Sequence, residues 1–334
     1  MELDTQQEEM QFLGFSGIYM ESFKLIISRW KIFTKTTLSL IIPMSFIYLL
    51  HMEVFSLFFG KIMDNVNELD ETRSPTKFLK LHDLISFQLA FFCLFNVGYF
   101  TLYLIFSLLS TAAVVYTVAC IYTARELTFG KVMSVVPRVW KRLMVTSLWI
   151  FATMVVYLVV AIFVFISAVL LIQTDLFHFQ AVLVVVLVFF LVGLIFMTVI
   201  SELASVVSVL EEAYGFEAMM KSTNLIKGKL CVAIVIFVKL IVGLAIIQTA
   251  FQTLVVDGSG LGMAKRVVYA ILCFVSLSGI TLFGLVIKTV IYFVCKSYHH
   301  ENIDKSVLSD HLEVYSGEYV PSMDKDVQLQ QCLV

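Results

Sequence analysis

Six apolar runs, each longer than the membrane is thick, constrain this chain more than any other feature of it. They extend from Thr36 to Gly60 (interrupted by Glu53), Leu84 to Ala124, Leu143 to Thr174, Leu176 to Ser201, Leu230 to Val256 (interrupted by Lys239) and Val267 to Cys295 (interrupted by Lys288). A helix needs about 20 apolar residues to cross roughly 30 Å of hydrocarbon, and every run exceeds that. Inside lipid the backbone must satisfy its own polar groups, and the runs lack the alternation of barrel strands, so helices are the only solution. A charged fraction of 14% and a mean hydropathy of +0.95 exclude an ordinary water-soluble domain.

The expected fold is therefore all-α, a polytopic membrane helical bundle of six spans. They are placed at about 36–59, 84–124, 143–172, 178–201, 230–255 and 267–295. An N-terminal segment, 1–35, precedes this membrane domain (36–296), and a polar tail, 297–334, follows it. The acidic opening "MELDTQQEEM" has no basic n-region, so no cleaved signal peptide is expected and the first span inserts itself. The six cysteines form no C-x-x-C pair, and Cys332 stands one place too close to the C-terminus for prenylation.

The second run is 41 residues long without proline or charge and is read as one long span. With both termini cytosolic, 15 basic residues face the cytosol and six face the other side, in keeping with the positive-inside bias. Splitting the run and moving the N-terminus outside leaves the same ratio. An internal repeat separates the two arrangements. Glu21, Lys24, Ser28, Lys31 and Lys35 oppose Phe23, Ile26, Ile27, Trp30 and Phe33 ahead of the first span. Lys131, Ser134, Arg138 and Lys141 oppose Phe129, Val132, Val136 and Trp140 ahead of the third, and Glu217, Lys221, Asn224 and Gly228 oppose Phe216, Met219, Met220, Thr223 and Ile226 ahead of the fifth. Each reads as an amphipathic interfacial helix with a basic exit, giving three repeats of interfacial helix plus hairpin. Trp30, Lys31, Trp140, Lys141, Arg142, Lys227 and Lys229 are the expected interfacial anchors, and anionic phospholipid headgroups the expected contacts. A protein partner at the cytosolic face is the second use for such a collar, and no nucleic-acid partner is expected.

"YTARELTFGKVMSVVPRVWKRLMVTSLW" and "VSVLEEAYGFEAMMKSTNLIKGKLCVA" resemble helix-to-span segments of the membrane domain of bacterial glycerophosphodiester phosphodiesterase. "GFSGIYMESFKLIISRWKIFTKTTLSLIIPMSFIYLLH" and "KSYHHENIDKSVLSDHLEVYSGEYVP" resemble, over most of residues 11–321, a plant family of uncharacterised multi-pass transmembrane proteins. The phosphodiesterase carries an appended catalytic domain for which this chain has no room. The resemblance therefore implies the membrane arrangement and no enzyme activity.

Chemistry read from the residues is sparse. His299 and Asp304 have the H-x-x-x-x-D spacing of glycerolipid acyltransferases, but the polar tail offers no domain to seat an acyl donor. His299, His300, Asp304 and His311 lack H-E-x-x-H spacing, so no metal is expected, nor any cofactor. The "DGSG" at 257–260 reads as a turn, and none of the ten aspartates lies within a run, which excludes an intramembrane aspartyl dyad. The remaining intramembrane charges supply the candidate site. Lys239 and Lys288 fall at similar depth in one hairpin, and Glu202 at the end of the fourth span is the nearest carboxylate by depth. The three form a candidate anion or ion-pair site, unless both lysines snorkel and carry their charges to the cytosolic headgroups. The expected function is non-enzymatic: a structural, lipid-interacting or partner-binding membrane component, with a transporter or pore for a small polar or anionic solute as the alternative and a lipid-modifying enzyme third. Endomembrane and plasma membrane are both open.

Overall fold

The computed structural model describes residues 11–71, 75–123, 128–171, 176–258, 260 and 262–299. The tail residues His300, Asp304 and His311 lie outside this set. The elements, in order, are α1 (Phe15–Ser28), α2 (Trp30–Thr36), a π-helical turn (Thr37–Ile41), α3 (Ile42–Glu71), α4 (Pro75–Tyr122), α5 (Phe129–Leu171), α6 (Leu176–Leu210), α7 (Phe216–Leu225), α8 (Leu230–Phe251), a second π turn (Gln252–Val256) and α9 (Met263–Tyr298). All the secondary structure among the described residues is helical. Six stretches are long and apolar enough to cross a membrane: Trp30–Leu69, Lys77–Tyr122, Phe129–Val169, Val182–Leu210, Leu230–Val256 and Met263–Tyr298.

The second apolar run is one uninterrupted helix, α4, of 48 residues, about 72 Å at 1.5 Å per residue. In the first span the widened turn at Thr37–Ile41 ends two residues before Pro43. Proline has no N–H to donate and its ring presses on the preceding turn, and a π turn is one way a helix absorbs that.

The three amphipathic segments do not form three equal units. α1 is set off from its span at Arg29, whose φ of −125° leaves the helical region. α7 is set off by the turn containing Gly228, at φ 95°. The middle segment is the first part of α5 itself, with Pro137 inside the helix. No left-handed residue interrupts 131–143, so the helix runs through without the break that precedes the other two spans. Gly228 is irreplaceable on two counts: its φ is left-handed, and a Cβ there would fall 2.3 Å from the Tyr298 ring.

Packing is concentrated at the end of the bundle that carries α1 and α7, called basal below. There Val114, Val118 and Ala119 of α4, Leu203, Val206 and Val207 of α6, and Val286, Val290 and Cys295 of α9 are all fully buried. α4 is the central helix of this core. Small and β-branched residues let neighbouring helices approach it closely, as in lipid, where dispersion rather than water expulsion holds helices together. Toward the opposite, apical end the helices separate. Phe163, Phe165 and Val164 of α5 and Val188, Phe189 and Val192 of α6 are exposed, as expected for surfaces facing acyl chains. A smaller apical core joins α3, α8 and α9 through Leu49, Phe251, Val255, Cys273 and Leu277.

Candidate functional site

Between the basal and apical cores lies a cavity of about 420 Å³. Its lining comes from five spans: Ser45 and Tyr48 before α3's midpoint, Tyr103, Ser107, Ser110 and Thr111 of α4, Thr198 and Glu202 of α6, Leu240 to Gln248 of α8, and Leu277 to Lys288 of α9. Lys288, ten residues from the end of α9, lies about 15 Å along the helix axis from the basal end. The cavity thus occupies the middle of the bundle.

Its floor is an ion pair. Lys288 Nζ donates to Glu202 Oε2 at 3.2 Å, to Ser205 Oγ at 3.2 Å and to Thr111 Oγ1 at 3.4 Å. The spacing of Glu202 and Ser205, i and i+3 on α6, sets both on the face turned to α9. The Lys288 side chain is 6% exposed, whereas that of Glu202 is 43% exposed. A buried ammonium needs both a counter-charge and a full set of acceptors, and three acceptors meet three protons here. Lining residues Ile241 and Leu244 of α8 are exposed. Together with Glu202 they mark the mouth as lying between α6 and α8. On the basal side the floor is sealed by the fully buried residues of the main core.

Lys239 does not join this group. Its side chain is exposed and its Nζ lies 3.9 Å from the centre of the Phe15 ring, a cation–π contact that fastens α1 to α8. α8 turns Lys239 outward, so Glu202 faces one lysine, Lys288, and not two. Lys288, moreover, has no donor left for a phosphate.

A second polar cluster closes the basal end, and it was not anticipated from sequence. Glu211, just beyond α6, accepts from Tyr292 Oη at 2.6 Å and Lys296 Nζ at 2.9 Å through Oε1, while Lys221 Nζ of α7 lies 2.5 Å from Oε2 in ion-pair contact. Arg142 of α5 donates to the Glu211 backbone carbonyl, capping the end of α6. Burial raises the pKa of the Glu211 carboxyl, but the Lys221 hydrogen bond, the Lys296 charge and the Tyr292 hydroxyl outweigh it and hold the group below the usual carboxyl range. The legible signal is on α9: Lys288, Tyr292 and Lys296 follow at i, i+4 and i+8, one polar stripe on an otherwise apolar helix.

The interfacial anchors divide. Trp30, Lys31, Lys141 and Lys227 are exposed, Trp30 by 60%. Arg142 reaches inward to Glu211 and Lys229 lies over the Tyr298 ring. Trp140 is half-buried. His299, read as part of a free tail, has Nε2 at 3.0 Å from the Leu225 carbonyl and so ties the end of α9 to α7. No group of three or more His, Cys, Asp or Glu side chains among the described residues is placed to hold a metal.

A family model described as "Domain of unknown function (DUF8558)" matches residues 3–332. No curated protein and no solved structure matches the chain.

Proposed function

The chain belongs to that family, whose description carries no activity, and from the geometry above we propose that it is a non-enzymatic multi-pass membrane protein that holds an amphipathic molecule drawn from the bilayer. The observation carrying this reading is the cavity of about 420 Å³ at mid-bundle. Its walls are aliphatic on α8 and hydroxyl-rich on α4, its mouth opens between two lipid-facing helices, and its size falls within the range of small-molecule sites, about 300–1,000 Å³. The basal seal argues against an open pore.

Gly284 provides the test. It lines the cavity, and a Cβ there would lie at an ordinary 3.8 Å from Leu240 Cδ1, so a larger residue enters the cavity without backbone strain. Gly284→Leu is expected to reduce retention of radiolabelled decanol by protein in phosphatidylcholine nanodiscs about tenfold, with thermal stability equal or higher. Unchanged retention with a folded variant would refute the cavity as the binding site.

In this proposal the basal end faces the cytosol, with exposed Trp30, Lys31, Lys141 and Lys227 against the anionic headgroups of that leaflet. A protease should remove tags at either terminus of the full chain in sealed cytosol-side-out vesicles. Protection of both tags would reject this orientation, and protection of the N-terminal tag alone would reject the six-span arrangement.

A further inference from the structure

The two charges on the cavity floor offer different things to a ligand. The three ammonium protons of Lys288 are all engaged, by Glu202, Ser205 and Thr111, and its side chain is almost wholly buried. Glu202 gives Lys288 one oxygen, Oε2. Among the described residues Oε1 has no hydrogen-bond partner, and the side chain is 43% exposed where it lines the cavity. A carboxylate oxygen at this depth cannot be left to hydrocarbon. An ionised side chain near the bilayer centre is costly unless something solvates it.

A further observation points at the same place. Tyr48 and Tyr103 both line the cavity with ring centroids 6.0 Å apart, and aromatic faces attract cations. A carboxylate and two phenol rings over an aliphatic wall form an environment for a positive head on an apolar chain. A sulfate or phosphate head would meet the carboxylate and find no free donor on Lys288.

We infer that the cavity selects a cationic amphiphile, its ammonium head against Glu202 Oε1 and beside Tyr48 and Tyr103, its chain along the aliphatic face of α8. This rests on the amphiphile-binding reading above and names the ligand's chemistry.

The test compares four radiolabelled probes on the full chain in phosphatidylcholine nanodiscs, with empty nanodiscs as the blank: decyltrimethylammonium, decyl sulfate, decanol and tetramethylammonium. Decyltrimethylammonium should be retained at least about tenfold better than decyl sulfate. Tetramethylammonium, which has the head without the chain, should be retained least. If it is retained as well as decyltrimethylammonium, the ligand is a water-soluble cation and the amphiphile part of the inference is wrong. Retention of decanol and decyl sulfate at the level of the cation would overturn charge selection while leaving the cavity's function intact. Failure of all four would overturn both.

The charge-swapped double variant Glu202→Lys with Lys288→Glu keeps the pair and reverses which charge lines the mouth, so it should invert the preference to decyl sulfate. An unchanged preference would overturn the assignment. Should the swapped protein fail to assemble, Tyr103→Leu leaves the ion pair in place. It should weaken decyltrimethylammonium retention several-fold while sparing decanol, and equal loss of both, or loss of neither, would count against the inference.

Discussion

Glu202→Leu is expected to destabilise the protein by about 3–5 kcal/mol, the range for removing one partner of a buried ion pair. The variant leaves Lys288, 5% exposed, with hydroxyl acceptors only. The reciprocal change should be mild. Lys288→Met fills the same volume with apolar atoms and leaves Glu202, 43% exposed, facing a cavity it can share with water. Its cost should be about 1 kcal/mol, and the double variant should lie near wild type, because well-packed apolar residues often replace a buried pair without loss. Thermal unfolding of the four proteins in one detergent completes the cycle. Equal losses for the two single variants would show that the asymmetry in burial does not govern the pair.

Glu211→Gln should cost about 3 kcal/mol and loosen the turn that leads from α6 into α7, since the carboxylate fixes that turn to Tyr292 and Lys296 of α9 as well as to Lys221. Lys221→Met should cost only about 0–1 kcal/mol, because its side chain is 40% exposed. The native pKa of Glu211 is depressed. Its contribution is therefore complete above the unfolded carboxyl value, about 4.3, and is lost as pH falls through the lower native value. Hydrogen exchange of residues 216–225 should accelerate below about pH 4.3 in the wild type, and in Glu211→Gln be fast throughout. Persistent protection of α7 in that variant would show that the cluster is not what holds it.

Much of the fold was legible because lipid leaves few alternatives. Each apolar run became a helix in its described residues, and the run that begins at 84 is one helix as far as Tyr122 because nothing in it breaks the hydrogen-bond ladder. Depth along a helix could also be counted, which is why Glu202 was grouped with Lys239 and Lys288 before any coordinates. Direction around a helix was harder. α8 is apolar on every side, so hydrophobic periodicity says nothing about which face meets the bundle. The structure turns Val235, Lys239, Val242 and Ile246 outward as one stripe. The same difficulty affects α1, whose buried face is Ile18, Ser22 and Leu25, while Phe23 and Ile27 on the apolar face read from sequence are exposed. A surface helix in water has one apolar side, whereas a helix at a membrane boundary has two, one for protein and one for lipid. Glu211 was missed because "EEAYG" after an apolar run reads as a solvated turn, and its lysine and tyrosine partners lie ten or more residues away in sequence.

The hydrogen bond from Lys288 to Thr111 joins residues 177 positions apart, and at translation rates of roughly 5–20 residues per second the two emerge about 10–35 s apart. Thr111 of α4 waits through that whole interval for a helix not yet made, and Glu202 of α6, 86 positions before Lys288, for about 4–17 s of it. α9 is thus the keystone of assembly. Until it is made, Glu202 lacks its cation and Thr111 its donor, so the floor of the cavity is completed only by the last helix.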